Sequence, residues 1–389
     1  MNSLLIGTLI LTSGYFLGLL WLRYLIQQAV RFSQPTLPKV LPTVSIVVSL
    51  HNEANNIPFL LPALLAQNYP ANRLEIILVN DRSTDATPQL LKEWAQKDHR
   101  IRCLSISATP PGIAPKKYAL SQAIARANGE IILQTDADGR PSPHWVQNMV
   151  SYFSPKVGVV LGYAPYIYQN VHHSFWYRIL ALEYCSIAGI ALATTGLQQP
   201  ATAVGTNLAY RRQVFTEING YGRYWHIPSG DDDLFVQEVR RRTRWRFAFA
   251  TTPNSFVWNA PPRSFQQFYQ QRLRFASKGF LYSPFQTAIL IAFYILNVLL
   301  VISGLGVVMG NIFLGGWLAS MVLKIAGEAI FMRAVCQQFQ QQHLMKVFPI
   351  AALLHIPYVI YFGLVAQFTS YRWKGTTGKG SAYHWRSNN

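Results

Sequence analysis

Glu130-Ile131-Ile132-Leu133-Gln134-Thr135-Asp136-Ala137-Asp138 places an apolar run of strand length directly before two carboxylates. Bounded by Asn128-Gly129 and Asp138-Gly139, so short a run reads as a buried strand. Working outward, Val44-Ser45-Ile46-Val47-Val48-Ser49-Leu50 is a β-branched run of the same kind, as are 74–79, 101–106 and 158–163. Helical patterns lie between them. One covers 57–67, where Pro58 and Pro62 confine the start to near Leu60. Another covers 87–97, with Pro88 in a favourable first-turn position, and a third covers 118–127. Strands alternating with helices predict an α/β fold, a mostly parallel sheet flanked by helices with right-handed crossovers. Ligands of such sheets sit beyond the carboxyl ends of the strands. The polar clusters fall there: His51-Asn52-Glu53, Asn80-Asp81 and Thr135-Asp136-Ala137-Asp138.

The rest of the chain is of a different character. Half of its 389 residues are apolar and 13% are charged, well below the usual quarter. Residues 1–22 and 279–323 carry no charge, and 347–371 hold only His355 as a titratable group besides tyrosine. Runs of this length span a bilayer as helices. One span is expected at 4–26 and three more near 287–309, 311–332 and 347–369. The first is too long for a signal peptide and lacks both a basic start and a small-residue cleavage pattern. Arg23 lies at its end and Arg31 and Lys39 follow it, which places the next domain in the cytosol of a multi-pass protein of the cell (inner) membrane. Lys324 and Glu328 lie one turn apart within the third span and can pair there. Residues 176–194 read equally as an interfacial helix or a buried core helix. A tail holding Arg372, Lys374, Lys379 and Arg386 favours the cytosol, whereas four crossings would put it outside, so one later segment is expected to be re-entrant or interfacial. The linear division is 1–34 anchor and linker, 35–283 polar domain, 284–371 membrane region and 372–389 basic tail.

A net charge of +18 raises nucleic acid as a partner, but no nucleic-acid motif is present. The basic residues of Arg240-Arg241-Arg242-Thr243-Arg244-Trp245-Arg246 interleave with an aromatic, as for a face against anionic lipid or a solvated helix end. The three cysteines, Cys103, Cys185 and Cys336, form neither a metal spacing nor a disulfide framework.

The chain has 16 acidic residues, and half of them fall in four clusters: Glu53; Asp81 and Asp85; Asp136 and Asp138; and Asp231-Asp232-Asp233. Asp136 and Asp138 offer hard oxygen ligands for magnesium or manganese, which would also hold phosphate oxygens; the plain alternative is an Asp-Gly turn. Asp81 could accept the imide proton of a uracil and Glu53 a ribose hydroxyl, while Ser83, Thr84 or Asp85 could cap the following helix. Lys116, before the third helix, could pair with phosphates, although a solvated lysine is the default for it or Lys117. Three adjacent aspartates after Gly230 repel one another, so one of them suits a general base. An acidic start to a helix at 234–242 is compatible with that role.

These clusters, in this order, resemble the inverting family 2 glycosyltransferases of the GT-A fold over 44–282. The matching elements are Ser49-Leu50-His51-Asn52-Glu53, the Asp81/Asp85 segment, Lys116-Lys117-Tyr118-Ala119-Leu120, Asp136-Ala137-Asp138, Gly205-Thr206-Asn207-Leu208-Ala209-Tyr210-Arg211-Arg212, Gly230-Asp231-Asp232-Asp233-Leu234 and Gln271-Arg272-Leu273-Arg274-Phe275. The resemblance implies a nucleoside-diphosphate sugar donor, a divalent metal (Mg or Mn), and in-line attack by an acceptor hydroxyl. It further implies that Asp81 and Glu53 bind the nucleoside, Lys116 and Arg274 the diphosphate side, and Asp138 with Asp136 the metal. Gln271 joins the substrate-binding set, and Asp232, or else Asp231, is the base. Phe275 departs from the tryptophan of the family's Gln-x-x-Arg-Trp motif, which bears on acceptor choice. Four spans are few for a polymer channel, so single transfer to a lipid or other membrane-associated hydroxyl is the expectation. The alternatives are a processive polysaccharide synthase and, in a different class, an inactive nucleotide-sugar sensor or scaffold.

Overall fold

The computed structural model describes residues 3–167 and 174–380. Arg386 of the basic tail lies outside them. The chain divides into two compact units. The first long helix, α1 (Ser3–Phe32), contributes to both, as does α6 (Phe175–Thr195).

The sheet unit comprises Gln27–His172 and Ile187–Pro261. In chain order its elements are β1 (Val44–Leu50), α2 (Ile57–Leu65), β2 (Leu74–Asp81), α3 (Thr87–Lys97), β3 (Ile101–Ile106), α4 (Pro115–Ala125), β4 (Ile131–Gln134), β5 (Arg140–Pro141), α5 (Trp145–Ser151) and β6 (Val157–Gly162). After α6 come β7 (Leu208–Arg211), α7 (Arg212–Glu217), α8 (Asp233–Arg242), β8 (Arg246–Ala250) and β9 (Val257–Trp258). Seven strands form one sheet in the order β3-β2-β1-β4-β7-β6-β8. All seven residues of β1 are buried, as a parallel strand covered on both faces requires. Its register with β2 runs from Val44 opposite Leu74 to Leu50 opposite Asn80, and on its other side Val44 faces Ile131. From β1 the chain winds outward to β2 and β3, then returns to place β4 on the opposite side. The crevice where ligands bind in such sheets opens at that reversal, at the carboxyl ends of β1 and β4.

The sheet is mostly rather than wholly parallel. β7 runs antiparallel to both β4 and β6, and it lies inside the stretch read from sequence only as a motif. Helix starts also moved. α2 begins at Ile57 instead of near Leu60, because Pro58 in the first turn gives up no hydrogen bond. α4 begins at Pro115 for the same reason, which puts Lys116 and Lys117 inside its first turn. At the turn before β4, a side chain on Gly129 would meet the Ser45 backbone nitrogen at 2.4 Å, so the chain can enter there only as glycine.

The second unit comprises Met1–Ile26, His173–Ser186 and Pro262–Asn389. It contains α9 (Phe265–Ala276), α10 (Pro284–Val308), α11 (Leu314–Gln338), α12 (Phe348–Phe368) and the antiparallel hairpin β10 (Ser370–Trp373) with β11 (Thr376–Lys379). Among the described residues, four helical segments are long and apolar enough to cross a membrane: α1, α6, α10 and Gln342–Phe368, which includes α12. The expected span at 311–332 is instead α11, shifted toward the carboxyl end and carrying Arg333 besides Lys324 and Glu328. The predicted pair is present: Lys324 Nζ lies 2.6 Å from Glu328 Oε1, which also accepts from the Tyr15 hydroxyl at 3.0 Å.

Candidate active site

The loops after β1 and β2 are stitched together. His51 donates from Nδ1 to the Asp81 carbonyl at 2.6 Å. The Asn52 side chain accepts from the Thr84 N–H at 2.8 Å, and its own N–H donates to Ser83 Oγ at 3.0 Å. Asp85 accepts from the N–H groups of Ala54 (3.1 Å) and Thr87 (3.0 Å). Burial works against ionisation of Asp85, but the hydrogen bonds from Thr87 and Ala54 outweigh it and hold the carboxyl below the usual aspartate range. Asn52 and Arg82 both sit at positive φ, 55° and 54°. Such backbone is uncommon outside glycine and collects at functional sites. Asp81 is buried and gripped by the Arg82 guanidinium at 2.7 and 3.2 Å. Glu53 accepts from the Asn56 amide at 2.6 Å.

After β4 the metal-motif segment is also a turn, closed by Gly139 N–H on the Asp136 carbonyl at 3.0 Å. The two readings of that segment are therefore compatible. Gly139 is obligatory, because a Cβ there would meet Thr135 Oγ1 at 2.4 Å. Asp136 is the hub: Oδ1 accepts from Lys116 Nζ and Oδ2 from the Thr206 hydroxyl, both at 2.8 Å. Lys116 Nζ is also 2.8 Å from Asp231 Oδ2. The lysine thus ties the loop after β4 to the aspartate run before α8. Neither Lys116 nor Lys117 is solvated, a correction to the sequence expectation. Lys117 is fully buried, donates to the Tyr224 carbonyl at 2.6 Å and lies over the Tyr221 ring at 5.4 Å. Burial alone would lower the affinity of Lys116 for its proton, but Asp136 and Asp231 more than reverse this and raise its pKa above the ordinary lysine range.

The three aspartates do different things. Asp231 is buried and accepts from the Gln134 amide at 2.9 Å. Asp233, also buried, accepts from the Leu234 N–H at 2.7 Å. Asp232 alone of the three is half-buried. It caps α8, accepting from Asp233 N–H at 2.7 Å and from Gly205 N–H at 2.9 Å. A Cβ on Gly205 would come within 3.3 Å of Asp232 and 3.4 Å of Asp231, so glycine lets the backbone reach the carboxylate. Gln134, Thr206 and the Gly205 N–H belong to this cluster and were not assigned roles from sequence. Gln134 looked like one more strand residue; its signal is a polar side chain at the last position of a buried strand.

Among the described residues no three His, Cys, Asp or Glu side chains gather into an all-protein metal cage. Magnesium and manganese in phosphate chemistry need no such cage, since one or two carboxylates with substrate phosphates suffice. Asp136 and half-buried Asp138 fit that donor set.

In the helical unit, Gln271 and Arg274 lie one turn apart on α9. The Arg274 guanidinium sits over the rings of Phe275 at 5.1 Å and Trp373 at 4.6 Å. Of the basic stretch at 240–246, Arg241 pairs with Glu238 at 2.7 Å and Arg246 stacks over Phe32 at 4.0 Å.

A mixed sheet with its acidic clusters at the carboxyl ends of β1, β2 and β4 defines the GT-A class of glycosyltransferase fold. The comparisons make this specific. The model of glycosyl transferase family 2 matches residues 45–218, and the chain carries a domain of that family. It is 30% identical to the probable glycosyltransferase YdaM of Bacillus subtilis over 61% of this chain and 55% of that protein. It is 29% identical to the beta-monoglucosyldiacylglycerol synthase of a Nostoc species over 55% and 44%. A poly-beta-1,6-N-acetyl-D-glucosamine synthase of Staphylococcus epidermidis is 24% identical over 61% and 54%. The chain spans about half the length of these curated relatives. The mannosyltransferase PcManGT of Pyrobaculum calidifontis, solved with GDP-Man and Mn2+, shares the fold, with a TM-score of 0.55 at 20% identity over 90% of this chain and 99% of that one.

Proposed function

We propose that this chain transfers a sugar, with inversion, from a nucleoside-diphosphate sugar to a hydroxyl of a lipid or other membrane-associated acceptor. The observation that carries the reading is the Lys116 bridge, which joins Asp136 on the donor side to Asp231 beside the base candidate. Asp232 is the general base in this reading. It is the member of its trio not buried, and two backbone N–H groups fix its carboxylate. A base must reach the proton it removes before its pKa matters. Asp231 keeps Lys116 and Gln134 in place instead.

A Mg2+ or Mn2+ held by Asp138 with Asp136 would neutralise charge developing on the leaving diphosphate. With both Asp136 oxygens engaged, the protein's share of that ligation rests chiefly on Asp138. Asp81 and Glu53 offer acceptors for the nucleoside, with a uracil imide the best match to Asp81, and Arg274 a cation for the diphosphate. The names of the relatives favour a diacylglycerol-type lipid as the first acceptor to try. The basic residues flanking the apolar helices support a multi-pass protein with its sheet unit in the cytosol.

Membranes holding the full chain, given labelled UDP- and GDP-sugars with manganese and lipid extract, are expected to yield a lipid one sugar heavier. A ladder of masses would mean processive synthesis. Asp232→Asn should lose at least about a hundredfold in transfer, as loss of a general base does, while its melting temperature falls by only a few degrees, because the amide oxygen still accepts from one of the two backbone N–H groups. Transfer unchanged in Asp232→Asn would sink the assignment of the base, and no product from any donor would sink the function.

A further inference from the structure

The Gln271 side chain accepts through Oε1 from Arg272 Nη1 at 2.6 Å. Arginine has five N–H donors and no acceptor. The atom turned toward Arg272 therefore has to be the amide oxygen, and the NH2 end is what Gln271 offers elsewhere. Arg272 itself has no exposed side-chain surface. Its Nη2 and Nε donate to Glu183 Oε2 at 2.5 and 3.1 Å, and the other Glu183 oxygen accepts from the Tyr358 hydroxyl at 2.5 Å. The rings of Phe268 and Phe275 lie under the guanidinium at 4.8 and 5.5 Å. A buried arginine needs one carboxylate for charge balance. The additional bonds from Tyr358 and to Gln271 fix a direction.

We infer that Tyr358, Glu183 and Arg272 are positioning residues for the Gln271 amide, holding it so that Gln271 presents only its NH2 donors beyond Arg272. Arg274 completes that face. Among the described residues no carboxylate pairs with it, and its guanidinium rests between two rings, one of them Trp373 of β10. The hairpin bearing Trp373 is tied to α9 by the Arg372 N–H, which donates to Gln270 Oε1 at 2.7 Å. A face of donors without acceptors suits a ligand of acceptors without donors, such as the diphosphate oxygens of a nucleotide-sugar. The inference rests on the proposed function for its ligand and adds how the amide is oriented.

The test is a double-mutant cycle on the full chain in membranes, read as KM for the nucleotide-sugar, kcat and melting temperature. Gln271→Glu keeps an oxygen facing Arg272 but removes the donor, and is expected to raise KM about tenfold, the loss of one charge-assisted hydrogen bond. Tyr358→Phe and Glu183→Gln should raise KM severalfold in the wild-type background and leave it unchanged when added to Gln271→Glu. Equal KM factors in both backgrounds, or a fall in melting temperature with KM untouched, would overturn the chain of positioning. Tyr358→Phe removes one hydroxyl and carries the cycle alone if Glu183→Gln does not fold. Wild-type protein that neither binds nor transfers any nucleotide-sugar would overturn the underlying function, an outcome distinct from an active enzyme with an additive cycle.

Discussion

At the scale of single residues, Lys116 sets the electrostatics of the sheet-side cluster. Its folded pKa is raised, so the stability it contributes is fully present below the ordinary lysine value of 10.5 and is lost only as pH rises beyond it. A pH profile of transfer between about 5 and 9 should therefore report groups other than Lys116. Lys116→Met leaves Asp231 buried with Gln134 as its polar neighbour, and stranding a buried charge costs about 3 kcal/mol. The variant is expected to melt several degrees lower in detergent. Adding Asp231→Asn removes the stranded charge and should recover most of that stability, but without recovering transfer. If the double variant melts as low as the single one, the bridge is not what holds the cluster. The sequence made these aspartates visible, because acids grouped at loop positions of a basic chain need a reason. It could not reveal the bridge, since Lys116 and Asp231 are brought together only by the packing of α4 and α8 around the sheet.

At the scale of elements, legibility followed the length and regularity of the local pattern. β1, α3 and β3 lie where the patterns put them: β1 is buried throughout and α3 starts on a proline turn, which leaves little latitude, whereas β3 is an edge strand with only Ile101 buried and shows itself by its run alone. β7 was missed: four residues at a carboxyl-side motif have no period of their own, and only pairing with β4 and β6 makes them a strand. The hairpin β10–β11 escaped for a similar reason, being read as a charged tail. The junction of α3 and β3 offers a test of how such elements are locked. Asp98 caps the turn by accepting from Arg100 through its backbone N–H (2.9 Å) and its guanidinium (2.8 and 3.0 Å). The Arg100 side chain pulls the Asp98 carboxyl down from 3.8 to about 2. A depressed carboxylate contributes stability above its unfolded pKa and loses it as pH falls through the folded one. The gap in melting temperature between wild type and Asp98→Asn should thus be constant above about pH 4 and close as pH falls to about 2. A gap that persists at the acid end would show that the charge of Asp98 does not matter to the junction.

At the scale of the whole molecule, the contacts within the helical unit bear on how often the chain crosses the membrane. α11 runs alongside α1 in the same direction: a Cβ on Gly316 would meet Leu5, and one on Gly327 would meet Phe16 and Leu19. The Tyr15 bond to Glu328 fixes the same register. α10 runs the opposite way to α11, with Trp317 Nε1 donating to the Leu300 carbonyl at 3.0 Å near the turn between them. If α1 enters the cytosol at its end, as Arg31 implies, α10 leaves it and α11 returns. α12 then begins on the cytosolic side after a short 3₁₀ segment. It also ends there, because Gln367 donates to the Ala276 carbonyl at 2.8 Å, just ahead of the start of α10. α12 is long and apolar enough to cross, yet both its ends belong to one side, so it is expected to dip into the membrane or lie along it. On this reading α1, α10 and α11 cross, α11 with its Lys324 and Glu328 charges paired, and α6 does not; the hairpin with Arg372, Lys374 and Lys379 then lies in the cytosol, where its charges favour it. Lys39→Cys and Lys374→Cys, each in a background without native cysteines, should react with an impermeant maleimide only after cells are opened. Labelling of Lys374→Cys, but not Lys39→Cys, on intact cells would mean that α12 crosses and that the bond from Gln367 does not mark the cytosolic side.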